Sequence, residues 1–217
     1  MKYKAVIFDL DGTLLDTSMD LLNCTNKTLE HFGFNKVNRE TLIQNVGDGL
    51  KLTIVKCTNA DIAEEKMNNI ISYFSELYTK NYNVETIAYP NIDKMLLELQ
   101  NLNIKLGCNS NKTHEYTVDL LKSIFKEIKF DCAIGDRVNI PKKPNPYSLL
   151  EIINNLKLEK NEILFVGDSE NDMKTAIAAE VDFAWVSYGY RKFEQIKEFN
   201  PTYIVNDPLE IINIING

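Results

Sequence analysis

The pattern of hydrophobic and polar residues divides the 217-residue chain into three parts. Residues 5–8 form a continuous apolar run, which is typical of a strand that is covered on both faces. From residue 17 to residue 83 the apolar positions recur at helical spacing, and no convincing strand interrupts them. Beyond residue 90, helical stripes alternate with short apolar runs. The chain therefore predicts one strand, then a helical segment, then alternating helices and strands.

The alternating part predicts a parallel sheet, because strands that are joined by helices usually run in the same direction. Its predicted strands are 104–108, 132–134, 163–166, 183–186 and 203–205, and its predicted helices cover about 92–102, 114–124, 147–156, 172–179 and 209–215. We expect an α/β fold with a Rossmann-like parallel sheet in a core domain of residues 1–16 and 84–217. The helical segment, residues 17–83, is expected to form an inserted all-helical cap domain.

Composition and charge narrow the range of partners. With 44% hydrophobic and 25% charged residues the chain is typical of a soluble globular protein, and its net charge of −7 argues against a nucleic-acid or anionic-lipid partner. The chain runs from Met1 straight into its first strand, which leaves no room for a signal peptide, and no apolar run reaches membrane-spanning length. We therefore expect a cytoplasmic protein with no membrane partner.

The cysteine and histidine residues are not expected to build a site. The four cysteines are Cys24, Cys57, Cys108 and Cys132. Their wide spacing without a C-x-x-C pair predicts buried reduced thiols rather than disulfides or metal ligands. His31 and His114 are too far apart for a zinc-binding pattern, so we interpret both as ordinary helix residues.

Two carboxylates follow the first strand, at Asp9 and Asp11, and Gly12 marks the turn after them. The carboxyl end of a strand is where open α/β sheets bind their ligands. Two carboxylates about 4 Å apart repel by roughly 4 kcal/mol at an effective dielectric constant of 20, so the pair needs a cation, a proton or separation by the turn. A divalent metal is the simplest answer, although an isolated D-x-D more often caps a turn.

Polar segments also follow three later strands, and a parallel sheet brings all these strand ends to one edge. The four segments are D-x-D-G-T at Asp9–Thr13, Ser-Asn-Lys at Ser110–Lys112, Lys143 in K-P-x-P, and G-D-S-x-x-D at Gly167–Asp172. In this order they resemble the motifs of the haloacid dehalogenase superfamily, and more narrowly its phosphoglycolate phosphatase-like members with a helical cap. Each motif alone is weak, but four in order at predicted strand ends make chance agreement improbable.

The resemblance implies a catalytic and metal-binding set. Asp9 would be the nucleophile that forms an aspartyl-phosphate, and Asp11 would protonate the leaving alkoxide and then take a proton from the attacking water. The implied cofactor is Mg²⁺, held by the carboxylates of Asp9 and Asp168 and by the backbone carbonyl of Asp11.

The resemblance also implies phosphate-binding and supporting residues. Lys143 and the Ser110 hydroxyl would hold the transferring oxygens, and amides around Asn111 would add donors. Thr13 would brace the nucleophile loop, and Asp172 would orient Lys143 or a metal-bound water. Taken alone, Ser110 could instead be a helix cap and Lys143 a solvated charge.

Two positions depart from the pattern of the family. Ser110 stands where many relatives have threonine, a change that keeps the hydroxyl. Glu180 stands where relatives usually have glycine. This difference leaves open how the local helix ends, but it does not affect the predicted chemistry.

The sequence favours a Mg²⁺-dependent phosphatase that hydrolyses small phosphate monoesters, with 2-phosphoglycolate among the candidates. Asp11 argues against a dehalogenase, because a halide leaving group needs no acid. Related sugar phosphomutases have a histidine where this chain has Leu21, so mutase activity is a weaker alternative, as is pyrophosphatase activity. A phosphometabolite-binding regulatory protein is the alternative outside enzymes, and the intact motifs argue against it.

Specificity is expected to come from the cap, whose predicted helices are separated by Gly33 and by the segment Gly47-Asp48-Gly49-Leu50-Lys51. We interpret this second segment as a candidate substrate loop. Lys51 could meet a substrate carboxylate or be a solvated helix lysine, and Asp48 could disfavour an acidic substrate. The expected partner is a small phosphorylated metabolite, and we expect a monomer or a homodimer.

Overall fold

The computed structural model describes residues 1–217, and the chain divides into two compact units. The core unit consists of Met1–Leu15 and Ala88–Gly217, and the helical unit consists of Asp16–Ile87. The prediction for the inserted cap is 17–83, so the helical unit begins one residue earlier and ends four residues later.

The elements follow the predicted order. The strands are β1 (Ala5–Phe8), β2 (Leu15–Asp16), β3 (Ile87–Ala88), β4 (Lys105–Thr113), β5 (Cys132–Asp136), β6 (Ile163–Gly167), β7 (Asp182–Val186) and β8 (Tyr203–Val205). The α-helices are α1 (Ser18–His31), α2 (Arg39–Asn45), α3 (Leu50–Thr58), α4 (Glu64–Asn81), α5 (Ile92–Asn101), α6 (His114–Ile124), α7 (Tyr147–Leu156), α8 (Glu170–Ala179), α9 (Phe193–Ile196) and α10 (Glu210–Asn216). Two short 3₁₀ turns cover Lys160–Glu162 and Lys197–Phe199. None of the helices is long and apolar enough to cross a membrane.

The core unit is built on a six-stranded sheet with the order β5-β4-β1-β6-β7-β8. Every neighbouring pair is parallel, which confirms the predicted α/β fold. Strand β1 lies between β4 and β6, and all four of its residues are buried, as its unbroken apolar pattern predicts. Phe8 is paired with Cys108 and Val166, so the residues that follow these three lie at one level along the strands.

One face of the sheet packs against α7 and α8. Alternate residues of β1, β6 and β7 point to this face, because side chains along a strand alternate between the two sides. The buried cluster contains Ala5, Ile7, Ile163, Phe165, Phe183 and Trp185 from the strands, and Leu149, Ile152, Ile153, Leu156, Met173, Ala176 and Ala179 from the two helices. This core holds the strand ends in place beneath the candidate site.

The helical unit has its own core, formed by Leu29, Ile54, Met67 and Ile70. Asp20 on α1 fixes the segment that follows α4. Its carboxylate accepts hydrogen bonds from the backbone nitrogens of Val84, Glu85 and Thr86, at 2.9–3.0 Å for the shortest of each, and from the Thr86 hydroxyl at 2.8 Å. The buried Asp20 carboxylate holds this segment in place, because each of the backbone donors would otherwise be left without a partner.

The predicted elements are confirmed to within two residues, with one correction in the sheet. Strand β4 continues to Thr113 rather than ending at Cys108, so Ser110–Lys112 lie within the strand and not after it. A register shift between Asn109 and Thr113 makes this end irregular. The prediction stopped at Cys108 because the apolar run ends there and the next residues are polar. The two-residue strands β2 and β3 and the four-residue α9 are absent from the prediction, because elements this short contain no measurable period.

The cysteines and histidines are placed largely as predicted. All four cysteines are free, but only Cys24 and Cys108 are buried, whereas the other two are partly exposed. His31 ends α1 and stacks on Tyr73 with ring centroids 4.1 Å apart. His114 begins α6 and accepts a hydrogen bond from the Gly135 backbone nitrogen through Nδ1.

Candidate active site

The candidate site lies where β1, β4 and β6 end, and it is built from the core unit alone. A tight turn follows β1, in which the Leu10 carbonyl accepts hydrogen bonds from the backbone nitrogens of residues 13, 14 and 15. Gly12 in this turn has φ +86°, a left-handed conformation that glycine adopts without a steric cost. The turn places Asp9 and Asp11 on either side of Leu10 at the edge of the sheet.

Lys143 is the centre of the site. Its ammonium nitrogen lies 2.6 Å from Asp9 Oδ1 and 2.6 Å from Asp172 Oδ1, and all three side chains are buried. Lys143 comes from the segment between β5 and α7. Asn111 on β4 holds that segment, because its Nδ2 donates to the Lys143 carbonyl at 3.0 Å and its Oδ1 accepts from the Lys143 backbone nitrogen at 2.9 Å.

Asp172 is fixed by the start of α8. Ser169 caps this helix, accepting from the Asp172 backbone nitrogen, while Asp172 Oδ2 accepts from the Ser169 nitrogen at 3.1 Å and from its hydroxyl at 2.5 Å. With Oδ1 on Lys143, both carboxylate oxygens of Asp172 have donors. This arrangement supports the expectation that Asp172 orients Lys143 rather than binding a metal itself.

Asp168 is held by a segment that the sequence analysis did not identify. The backbone nitrogen of Tyr190 donates to Asp168 Oδ2 at 2.7 Å, and Trp185 Nε1 donates to the Asp168 carbonyl at 2.8 Å. Gly189 passes so close that a Cβ there would lie 2.3 Å from Asp168 Cβ and 2.4 Å from the Gly12 carbonyl oxygen. A glycine three residues after the end of β7 is the sequence signal that points to this contact.

Asp11 is paired with Lys112, to which the sequence analysis gives no role. Lys112 Nζ lies 2.8 Å from Asp11 Oδ1, and the lysine side chain is only 5% exposed. The signal in the sequence is a lysine two residues after Ser110, at the end of an otherwise buried strand. Asp9 and Asp11 therefore each have a buried lysine of their own.

The two predicted hydroxyl residues differ in their contacts. Ser110 is buried, and its Oγ accepts from the Lys112 backbone nitrogen at 3.1 Å, which leaves the hydroxyl proton for a further acceptor. The Thr13 hydroxyl is also buried but has no hydrogen-bond partner, so the contribution of Thr13 to the turn is its backbone bond to Leu10.

Burial and crowding shift the pKa values of the site. Burial, and then the charge of Asp172, raise the pKa of Asp9 well above its ordinary value, although Lys143 opposes this. The same two causes raise the pKa of Asp168 to about 7. Burial lowers the pKa of Lys143, but Asp172 and Asp9 outweigh it and the net shift is upward. The site therefore holds more negative charge than its two lysines neutralise.

This charge and donor pattern fits a divalent cation. Side-chain oxygens of Asp9, Asp168 and Asp172 lie within 4.8 Å of one another. Lys143 engages one oxygen of Asp9 and Tyr190 engages one oxygen of Asp168, so each carboxylate retains a second oxygen. With Asp11 and Lys112 included, and with every group in its ionised form, four carboxylates and two ammonium groups leave two negative charges, which one divalent ion would balance.

The predicted substrate loop belongs to the helical unit, and the carboxylate cluster described above belongs to the core unit. Gly47 and Gly49 both have positive φ, at +116° and +97°, and they separate α2 from α3. Asp48 is paired with Lys56 at 2.7 Å, which neutralises the charge expected to disfavour an acidic substrate. Lys51 is exposed in the first turn of α3.

Comparison with known proteins identifies the family. Residues 6–186 match the family model described as haloacid dehalogenase-like hydrolase. The phosphoglycolate phosphatase of Nitrosospira multiformis is 31% identical over 216 residues, covering 98% of this chain and 95% of that protein. A protein of Caldanaerobacter subterraneus subsp. tengcongensis named "Putative pyrophosphatase PpaX" is 29% identical over 218 residues, covering 100% and 96% of the two chains.

Comparison with solved structures finds the same fold. The crystal structure of a "predicted phosphoglycolate phosphatase" from Haemophilus somnus 129PT has a TM-score of 0.90 at 24% identity and covers 99% of both chains. The matched family span contains all four sequence motifs and both lysines of the site. The chain therefore belongs to the haloacid dehalogenase-like hydrolase family, and its curated relatives include phosphoglycolate phosphatases.

Proposed function

We propose that this protein is a Mg²⁺-dependent phosphatase that hydrolyses small phosphate monoesters through an aspartyl-phosphate on Asp9. The observation that carries the proposal is the placement of Asp9 at the end of the central strand, 2.6 Å from the buried ammonium of Lys143 and beside Asp168. The transferred phosphoryl group carries negative charge on three oxygens. A nucleophile that lies beside a cation is therefore suited to attack it, because the cation offsets this charge.

In the first step, an oxygen of Asp9 would bond to phosphorus as the bond from phosphorus to the leaving oxygen breaks. Asp11 would give its proton to that leaving oxygen. In the second step, Asp11 would take a proton from water, the water oxygen would bond to phosphorus, and the bond between Asp9 and phosphorus would break. Lys143 and the Ser110 hydroxyl would donate to the transferring oxygens.

A bound Mg²⁺ would be held by the carboxylates of Asp9 and Asp168 and by the Asp11 carbonyl, as the family resemblance implies. When bound, it would supply positive charge that keeps Asp9 ionised and lowers its repulsion of the phosphate dianion. Supporting this assignment, the raised pKa values of Asp9 and Asp168 show that burial disfavours their ionised forms without such a charge.

The first substrate to test is 2-phosphoglycolate, because the relative from Nitrosospira multiformis carries the name phosphoglycolate phosphatase. Pyrophosphate is second, because a relative of similar identity is named as a pyrophosphatase. Leu21, where related mutases have a histidine, argues against mutase activity. We place the activity in the cytoplasm, a reducing compartment that suits four free cysteines.

The test is phosphate release with Mg²⁺ and with EDTA, across 2-phosphoglycolate, sugar phosphates, nucleoside monophosphates and pyrophosphate. We expect turnover that needs Mg²⁺ and is lost in Asp9→Asn, which keeps the size of the side chain but removes the nucleophile. Activity that survives in Asp9→Asn would contradict the aspartyl-phosphate. No release by the wild type from any compound would contradict the phosphatase proposal, and a sugar-phosphate isomerisation assay would then test the mutase alternative.

A further inference from the structure

The side chain of Asn111 contacts the protein backbone where the family resemblance leads one to expect a phosphate ligand. Its amide makes two hydrogen bonds with one residue, Lys143, at 3.0 Å to the carbonyl and 2.9 Å from the backbone nitrogen. An asparagine side chain offers a donor and an acceptor side by side, so it matches the carbonyl and N–H of a single backbone residue. The two bonds join positions 32 residues apart.

Lys143 needs such an anchor because of where it lies. It belongs to the segment 137–146 between β5 and α7, which contains neither helix nor strand. From this segment its ammonium must reach both Asp9 and Asp172, at 2.6 Å each. Asn111 lies on β4, which is hydrogen-bonded to β1, the strand that delivers Asp9. The amide therefore ties the lysine segment to the strand beside the nucleophile.

We propose that the Asn111 side chain is a positioning residue, which acts on the reaction through the backbone of Lys143 and not by contact with the phosphate. A substitution of the Asn111 side chain leaves the backbone amides around it in place, so it tests the role of the side chain alone. The inference rests on the proposed phosphatase function, in which Lys143 holds the transferring oxygens.

The test is a double-mutant cycle with Asn111→Asp, Lys143→Met and the double variant. Asn111→Asp keeps the shape of the side chain but replaces the donor by an oxygen that faces the Lys143 carbonyl. The readouts are kcat and KM for the best substrate, and the dissociation constant of inorganic phosphate in the presence of Mg²⁺. The binding readout needs no turnover, so it distinguishes a failure of this inference from a failure of the proposed phosphatase activity.

We expect Lys143→Met to lower kcat at least 100-fold and Asn111→Asp to lower it about 10-fold to 100-fold. If Asn111 acts through Lys143, the double variant stays within about threefold of Lys143→Met in both kcat and phosphate affinity. Multiplying effects would overturn the inference, because they would mean that Asn111 acts independently of the lysine. Wild-type behaviour of Asn111→Asp would overturn it as well.

Asn145→Asp is the matched control. Asn145 lies two residues after Lys143, and its Oδ1 accepts from the Tyr147 backbone nitrogen, a bond that an aspartate keeps. The control should retain wild-type kcat and phosphate affinity. Thermal melting of each variant checks folding, and Asn111→Ser, which adds no charge, replaces Asn111→Asp if that variant does not fold. Failure of both variants to fold would overturn the inference in favour of a purely structural role.

Discussion

Three buried carboxylates of the site have different hydrogen-bond donors, and the difference separates their roles. Asp172 has donors on both oxygens, from Lys143 and from Ser169, so it is suited to hold the lysine. Asp9 and Asp168 each have a donor on one oxygen only. The second oxygens of these two residues are therefore the natural ligands for a cation, since a hard divalent ion prefers carboxylate oxygen.

Gly189 is predicted to support the metal site through Asp168. A Cβ in Gly189→Ala would lie 2.3 Å from Asp168 Cβ, a distance at which one of the two segments must move. Because residues that orient metal ligands typically change affinity 10-fold to 100-fold, we expect the Mg²⁺ concentration for half-maximal activity to rise about 10-fold or more. Mg²⁺ titration of phosphate release measures this shift.

Ser187→Ala tests the same segment without crowding Asp168. The Ser187 side chain is bonded to Asn206 at the surface, and its loss should leave the Mg²⁺ dependence unchanged. An unchanged Mg²⁺ dependence in Gly189→Ala as well would show that Asp168 can move without loss of the metal site.

At the residue scale the sequence predicts the charged residues of the site other than Lys112, but it does not predict the residues that hold them. Asp9 and Asp168 are recognisable because charge at the end of a buried strand is unusual, and Lys143 is recognisable from its K-P-x-P motif. Tyr190 acts through its backbone nitrogen, which no residue type indicates, and the close approach of Gly189 has the glycine itself as its one signal in the sequence. The bonds between Asn111 and Lys143 depend on the path of a segment without regular structure, which periodicity does not encode.

The end of α8 shows how an element tolerates a residue that does not favour its geometry. Glu180 follows the helix with φ +61° and ψ +45°, the left-handed conformation in which a side chain costs about 1–2 kcal/mol. The helix thus ends as it would with the glycine that relatives usually have. The Lys160 ion pair at 2.6 Å lies at the surface, where such pairs contribute little.

We predict that Glu180→Gly is more stable than Glu180→Ala by about 1 kcal/mol, because only glycine is relieved of the left-handed strain. Both variants remove the ion pair with Lys160, so their difference isolates the backbone contribution. Urea unfolding of the two proteins measures it, and kcat should be the same in both. Equal stability of the two variants would contradict the interpretation that Glu180 is strained.

The elements themselves were predictable in proportion to their length. α7 has an apolar stripe of three turns and begins and ends at the predicted residues, whereas α9 has four residues and too little length for a period to be seen. The predicted β4 ended at Cys108, five residues too early, because the apolar run ends there and the residues that follow are polar. The polar residues at this strand end indicate function, but they also interrupt the apolar pattern from which the strand is predicted.

The whole molecule carries a net charge of −7, and part of this excess is concentrated at the site. Several surface carboxylates have pKa values lowered by a neighbouring lysine or arginine, such as Glu151 beside Arg137. The buried carboxylates behave in the opposite way, since burial raises the pKa of Asp9 and Asp168. The folded protein therefore has two classes of acid whose contributions to stability change with pH in opposite directions.

We predict that the metal-free protein loses the contribution of Asp168 to stability as the pH rises. Its pKa is about 7 in the folded protein and close to the ordinary 3.8 when unfolded, so between these values the folded state binds more protons. The free energy of unfolding then falls as pH rises through this window, by on the order of a few kcal/mol in total. Below about pH 3.8 the contribution is fully present, and above about pH 7 it is lost.

The measurement is the melting temperature in EDTA at pH 5 and pH 8, for the wild type and for Asp168→Asn, whose amide does not titrate. The wild type should lose more stability than the variant between the two pH values, because only the wild type must bury the additional charge. Mg²⁺ should restore more stability at pH 8 than at pH 5, since it binds the ionised carboxylates, and it should restore little in the variant. An equal pH dependence of the two proteins in EDTA would contradict the raised pKa of Asp168 and, with it, the electrostatic argument for a divalent ion at this site.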